Sequence, residues 1–163
     1  MKDEQEKIHK ELEARTSAKG LLIYAKEYYS AYELIQKQHP ELAKYFNVKF
    51  YLLCHALELV MKAMLRYYGA SYAELKRYGH NLTKIQSALY HMHQITTDYI
   101  SVNEVRLVNE LYNNKEFEYH LSGSKHVPEI SNLASTVHLL ISKAHFDILL
   151  EGSPHKLKAQ GKS

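Results

Sequence analysis

The sequence contains few of the residues that cross-link small proteins or interrupt helices. Its 163 residues include one cysteine, three prolines, six glycines and no tryptophan. The single cysteine, Cys54, excludes an intrachain disulfide and favours a reducing, cytoplasmic setting. The first segment, MKDEQEKIHKELEAR, is charged throughout and unlike a secretory signal, and no run of eighteen apolar residues occurs. We therefore expect no membrane span.

The chain also has little excess charge. The formal net charge is +3 and the isoelectric point is near 8.8, which does not by itself predict nucleic-acid binding. The aromatic residues are mainly tyrosine, with fourteen tyrosines against four phenylalanines. A buried tyrosine hydroxyl needs a hydrogen-bond partner, so these rings are typical of helix packing or an oligomer interface. The alternative is a stacking surface for nucleic-acid bases.

The scarce prolines and glycines divide the chain into helical segments. We predict helices over residues 2–38 with a bend near Gly20, then over 40–68, 72–77, 82–94, 102–114 and 128–151. Ser71 and Glu74 form a capping box for the short third helix. No segment alternates apolar and polar residues over the length of a strand. The sequence predicts one all-α domain over 1–152, an antiparallel up-and-down bundle of four to six helices, and a basic, disordered tail over 153–163.

The second predicted helix carries a strong core pattern and a polar stripe. Apolar residues from Phe46 to Tyr68 recur every three or four positions, which indicates a buried face that packs with the first and last helices. His55, Glu58 and Lys62 share the opposite side, also three and four apart. Glu58 precedes Lys62 in the favourable order for a helical ion pair. The stripe faces either solvent, or a groove between helices or subunits.

The turn Gly79-His80-Asn81 is the second notable feature. The glycine allows a sharp turn, and His80 then lies at the start of the next helix. The free N–H groups of a helix N-terminus attract anions, so Arg77, His80 and Asn81 could hold a phosphate group. In the alternative interpretation, Asn81 caps the helix and His80 packs against the end of the fold.

These two features together resemble a HEPN domain, the helical family found in prokaryotic toxins, nucleases and nucleotide-binding modules. The family pattern is Glu-x-x-x-Lys-Ala on one helix, with Gly-His-Asp-Leu opening the next. The residues that match it are Glu58, Lys62, Ala63, Gly79, His80 and Leu82. Asn81 stands where the family has aspartate. The resemblance covers residues 55–82 only, and it implies an up-and-down bundle that is often a homodimer.

Many members of this family are ribonucleases that use an arginine followed, after four to six residues, by a histidine. None of the four arginines of this chain has a histidine at that distance. We therefore interpret the chain as a non-catalytic binding or interaction module, with nucleotide or RNA phosphate as the candidate ligand and a protein as an alternative partner. The candidate ligand-binding residues are His55, Glu58, Lys62, Arg77, His80 and Asn81.

The alternative is a divergent, metal-independent ribonuclease of the toxin–antitoxin or phage-defence type. His120 would be its general acid or base, and Arg106 or Lys115 would stabilise charge. We expect no metal site, because a di-iron bundle needs two Glu-x-x-His pairs and the sequence offers one, Glu6 with His9. We also expect no cofactor, because no glycine-rich phosphate loop or dinucleotide fingerprint occurs. We also expect a cytoplasmic homodimer.

Overall fold

The structure, a computed structural model, describes residues 2–93, 100–119 and 123–151. These residues form α-helices and no strand, which confirms the all-α prediction. The helices are α1 (Lys2–Arg15), α2 (Ala18–Gln38), α3 (Phe46–Tyr67), α4 (Tyr72–Tyr78), α5 (Leu82–His93), α6 (Val102–Asn113) and α7 (Ile130–His145), which continues as a π-helix over Phe146–Glu151. His120 and the predicted tail over 153–163 lie outside the described residues.

The described residues contain one α-helix more than the upper limit of the prediction, because the first predicted helix is in fact two. The break lies at Thr16 and Ser17, not at Gly20. Ser17 is extended (φ −96°, ψ 151°), and its hydroxyl accepts a hydrogen bond from the Gly20 N–H at 3.0 Å. The Arg66 guanidinium donates to the carbonyls of Glu13 and Thr16 at the end of α1. A serine cap and a cation at exposed carbonyls favour two helices over one.

The start of α3 was also predicted wrongly. Pro40 does not open this helix, which begins at Phe46. Lys49 on α3 is fully buried, and its ammonium group donates to the carbonyls of His39 and Glu41. These bonds satisfy backbone acceptors that a helix over this stretch would have used internally. The connection between α2 and α3 is therefore held in a non-helical form.

Helix α3 lies at the centre of the fold. It contacts α2, α4, α5, α6 and α7, and its contact with α2 is the most extensive of any helix pair that is described. The predicted packing of α3 with α7 and with α2 is confirmed. Large apolar side chains of α3, including Phe50, Leu53, Leu57 and Met61, are fully buried. Any polar group on this helix must therefore find its partners inside the protein.

One helical stretch, Ile130–Leu150, is long and apolar enough to cross a membrane by length and composition, and 39% of its most apolar window is buried. Length and composition do not distinguish such a helix from the core helix of a soluble protein. Leu133, Val137 and Leu140 of this stretch are fully buried, and α7 packs against α2 and α3. This helix is therefore weak evidence for a membrane span.

Replacing Arg66 by alanine should lower the free energy of unfolding by about 2–4 kcal/mol, because the carbonyls of Glu13, Thr16 and Ala70 lose a charged donor. Arg66→Lys should recover only part of this loss, since an ammonium group lacks the planar fork of donors. Urea unfolding followed by circular dichroism measures the change. The exposed Arg15→Ala control should stay within about 0.5 kcal/mol of the parent. Equal unfolding midpoints for Arg66→Ala and Arg15→Ala would contradict this account.

Candidate functional site

Glu58 is the centre of the candidate site. This α3 residue is only 3% exposed. Its Oε1 accepts a hydrogen bond from Lys62 Nζ at 2.6 Å. Its Oε2 accepts from Tyr112 OH at 2.6 Å and from His80 Nδ1 at 2.9 Å. A buried carboxylate is tolerated only when it is paired and hydrogen-bonded, and here the donors come from α3, α6 and the α4–α5 turn. We call Glu58, Lys62, His80, Tyr112 and His55 the Glu58 network.

Lys62 connects the two parts of the sequence that carry the HEPN resemblance. Its Nζ bonds to Glu58 and also donates to the carbonyl oxygen of Gly79 at 2.7 Å. Gly79 has φ 56° and ψ −131°, a conformation that residues with a side chain rarely adopt. The lysine of α3 therefore fixes the turn in which His80 follows this glycine.

Asn81 caps α5. Its Oδ1 accepts hydrogen bonds from the Lys84 N–H at 3.0 Å and from the Thr83 hydroxyl at 2.8 Å. The Thr83 N–H in turn donates to Asn109 Oδ1 of α6 at 3.2 Å. The capping alternative for Asn81 is therefore the one observed. His80 does not pack into the end of the fold, because half of its side chain is exposed while Nδ1 bonds to Glu58.

The network assigns the ring protons of both histidines. Because an ionised Glu58 can only accept, the Tyr112 hydroxyl must donate to it. The Tyr112 oxygen then accepts from His55 Nδ1, which lies 2.7 Å away. His80 likewise donates from Nδ1 to Glu58. In their neutral forms, both His55 and His80 therefore carry a lone pair on Nε2.

The two histidines differ in their surroundings. The His55 ring is stacked on Tyr51 with centroids 5.6 Å apart, and Tyr28 lies edge-on with centroids 4.3 Å apart. Its side chain is 20% exposed, against 50% for His80. His80 Nε2 has no hydrogen-bond partner within residues 2–93, 100–119 and 123–151. His80 is therefore the member of the network that a ligand in solvent can reach most easily.

Burial and charge set the protonation of the network. Burial works to raise the pKa of Glu58, but the Lys62 charge and the hydrogen bonds from Lys62, Tyr112 and His80 outweigh it and hold that pKa below 4.5. Burial lowers the pKa of His55 below 6.5, and His80 and Lys62 lower it further against the opposing Glu58. Burial, followed by the Glu58 charge, raises the pKa of Tyr112 far above its ordinary value. At neutral pH the carboxylate is ionised, whereas His55 and Tyr112 are neutral.

The chain segment around His80 is basic. Between residues 71 and 87, the exposed cations are Lys76, Arg77 and Lys84, and the single carboxylate is Glu74. Glu74 accepts from the Ser71 N–H at 2.7 Å and from the Ser71 hydroxyl at 2.8 Å, which confirms the predicted capping box. The Ser71 N–H and hydroxyl lower the pKa of this carboxyl group. The segment therefore carries three exposed positive charges, and its one carboxylate, Glu74, is already hydrogen-bonded to Ser71.

The structure joins four of the six predicted ligand-binding residues directly. His55, Glu58, Lys62 and His80 belong to the Glu58 network, and Asn81 adjoins them as the cap of α5. The interpretation of the stripe as a solvated edge is wrong for Glu58, which is buried. Arg77 lies apart, at the end of α4, and lines a groove that α4 forms with α1.

The sequence suggests Tyr112, with Tyr119 and His120, as lining for a pocket mouth, but it does not connect Tyr112 with Glu58. Tyr112, on α6, is 3% exposed and bonds to both Glu58 and His55. The only available signal for these contacts was the excess of tyrosines, which does not single out one position.

The alternative catalytic residues form no described cluster: Arg106 is exposed on α6, Lys115 follows α6, and His120 is outside the described residues. No group of three or more His, Cys, Asp or Glu residues suited to a metal occurs in the part of the chain that is described.

Comparison of the chain with protein-family models, with curated proteins and with solved structures found no match. The contacts of the Glu58 network and the residues around it are therefore the features that indicate a function.

Acid should destabilise the protein through two groups. Below about pH 6.5 the unfolded chain binds a proton on His55 that the folded chain resists, so the free energy of unfolding falls as pH falls. Below about pH 4.5 the same holds for Glu58, whose stabilising contribution is present above that pH and is lost beneath it. Urea unfolding from pH 8 to pH 3 measures both steps.

Glu58→Gln should cost about 3–5 kcal/mol at pH 7, because it leaves the Lys62 charge buried without its partner, and it should remove the step below pH 4.5. Tyr112→Phe keeps the pair and should cost only about 1–3 kcal/mol. Glu27→Gln, at an exposed position of α2, is the control. An acid profile of Glu58→Gln that matches the parent would show that Glu58 is not the group that titrates.

Lys115→Gly should stabilise the protein by about 1 kcal/mol. Lys115 has φ 60°, the left-handed conformation that follows a helix and that glycine adopts without steric cost. Asn114→Gly is the matched control, since Asn114 has φ −86° and gains nothing from glycine. Thermal unfolding compares the two variants. A lower melting temperature for Lys115→Gly would indicate that the lysine side chain makes a stabilising contact.

Proposed function

We propose that the chain is a HEPN-like, antiparallel up-and-down helical bundle that binds phosphate groups of a nucleotide or RNA without cleaving them. The observation that carries this proposal is the contact between the two halves of the HEPN-like pattern. Lys62 bonds to Glu58 within the first half and to the Gly79 carbonyl in the second, and His80 bonds back to Glu58. A pattern whose parts contact each other is better explained by a common structural unit than by chance.

The phosphate-binding role is supported by the exposed edge of this unit. His80 offers Nε2 to solvent, and as an imidazolium ion it donates to an anion. Arg77 and Lys84 add exposed positive charge within a few residues on either side. In this proposal His80 contacts one phosphate, and Arg77, in the neighbouring groove of α4, contacts another. Glu58, Lys62 and Tyr112 orient His80 through their hydrogen bonds.

Asn81 and Lys62 have supporting roles in this proposal. Asn81 caps α5, which aligns the first N–H groups of that helix beside His80. The Lys62 side chain is only 13% exposed, and its ammonium group is already bonded to Glu58 and Gly79. Lys62 therefore holds the turn and does not contact the ligand directly.

The non-catalytic role is supported by the absence from the sequence of the arginine–histidine spacing of HEPN ribonucleases. A cytoplasmic homodimer is part of the proposal. Exposed apolar side chains of α2 and α3, including Tyr24, Leu34 and Val48, offer a surface for a second copy. The alternative partner on that surface is another protein.

Binding of a 5′-phosphorylated RNA octamer, measured by fluorescence anisotropy against salt concentration, tests the proposal. The logarithm of affinity should fall linearly with the logarithm of salt concentration, and Arg77→Gln should reduce that slope by about one. His80→Gln should weaken binding, because it removes the ring nitrogen that contacts the phosphate. Arg15→Gln, on the exposed end of α1, is the control.

Two results would contradict this function. The absence of binding at low salt would leave a protein partner as the remaining role. Cleavage of the RNA in EDTA that is lost in His120→Ala would favour the ribonuclease alternative.

A further inference from the structure

A cavity that does not include the Glu58 network lies between α5 and α6. Its volume is about 290 Å³, which is near the lower end of the range for small-molecule pockets in proteins. Thr83, Tyr90 and His91 line it from α5, and Ile100, Val102 and Arg106 line it from the side of α6. The size of this cavity suits a ligand of one or two rings.

The described walls of this cavity are largely apolar and partly aromatic. Ile100 is 3% exposed and forms its inner surface, whereas Tyr90 and Val102 are 52% and 51% exposed. Tyr90 and His91 have ring centroids 5.3 Å apart in an edge-to-face arrangement. Covering an exposed valine and tyrosine with an apolar ring removes that surface from water, which is favourable.

Arg106 supplies charge to this cavity. It lies four residues after Val102, so both side chains occupy the same face of α6. Within residues 2–93, 100–119 and 123–151, Arg106 has no hydrogen bond or ion pair. A guanidinium group binds a carboxylate or a phosphate through two parallel hydrogen bonds. An apolar wall beside a guanidinium group that has no partner among the described residues fits a ligand that is apolar at one end and anionic at the other.

We propose that the α5–α6 cavity binds a small molecule with a flat apolar ring and one carboxylate or phosphate group. The ring contacts Tyr90 and Val102, and the anion binds Arg106. This site is independent of the phosphate-binding surface at His80, and each can fail without the other.

Titration calorimetry with 2-naphthoate tests the proposal. This probe should bind one site, and the neutral analogue 2-naphthalenemethanol should bind at least about tenfold more weakly. Arg106→Gln should reduce 2-naphthoate affinity by a similar factor and leave the neutral analogue unchanged. Arg15→Gln, which keeps the net charge equal to that of Arg106→Gln, should bind 2-naphthoate like the parent. Equal binding of the acid and the alcohol, or no binding of either, overturns the proposal.

A second variant tests the location without removing charge. Ser87 lines the cavity from an exposed position of α5, so Ser87→Trp fills the cavity without disturbing the core. Its circular dichroism spectrum and unfolding midpoint should match the parent, while 2-naphthoate binding is lost. Retained binding in a folded Ser87→Trp variant overturns the location.

Adenosine monophosphate distinguishes the two anionic groups. Binding that Arg106→Gln weakens and His80→Gln leaves intact identifies a phosphate ligand of the cavity. If the nucleotide does not bind while 2-naphthoate does, the ligand is a carboxylate. If Arg106→Gln still binds the RNA octamer, the RNA site at His80 and the α5–α6 cavity are independent. If Arg106→Gln loses both RNA and 2-naphthoate, the two sites are not independent.

Discussion

The buried carboxylate of Glu58 is the constraint on which this structure depends most. Removing an ion from water costs several kcal/mol, so a stable fold must bring donors to it. Here the donors are an ammonium group of α3, a phenol of α6 and an imidazole of the α4–α5 turn. Because each donor belongs to a different element, satisfying one carboxylate fixes the relative positions of those elements. The same bonds hold one nitrogen of His80 inward and leave the other facing solvent.

Cations of helix α3 also bond to backbone carbonyls at the ends of neighbouring helices. Lys49 donates to carbonyls after α2, Lys62 to the carbonyl of Gly79 after α4, and Arg66 to carbonyls at the end of α1. The chain has few prolines and glycines to interrupt its helices. Cations of the central helix bond to the free carbonyls at several helix ends instead. A cation near the C-terminus of a helix satisfies its last carbonyls and complements its dipole. Cations of the central helix therefore bond to the backbone where three other helices end.

This arrangement explains which expectations failed. Glycine and proline often interrupt or start helices, but neither Gly20 nor Pro40 does so here. The helix break at Ser17 lies where Arg66 bonds to the backbone. The late start of α3 lies next to the carbonyls that Lys49 binds. Arg66 lies 50 residues after Thr16 in the sequence, and Lys49 belongs to the helix that follows α2. Their effect requires the packed fold, which a local pattern of residues does not contain.

The sequence by itself determined the all-α class, the apolar face of α3, the capping box at Ser71 and the pairing of Glu58 with Lys62. These features depend on residues within one or two helical turns of each other, and such contacts follow from helix geometry alone. Tertiary structure decided that the stripe of Glu58 is buried, that Tyr112 joins it, and that Arg77 lies apart from it. Each of these facts concerns elements that packing brings together. The residues around Tyr112 in the sequence do not distinguish it from the other thirteen tyrosines as the partner of Glu58.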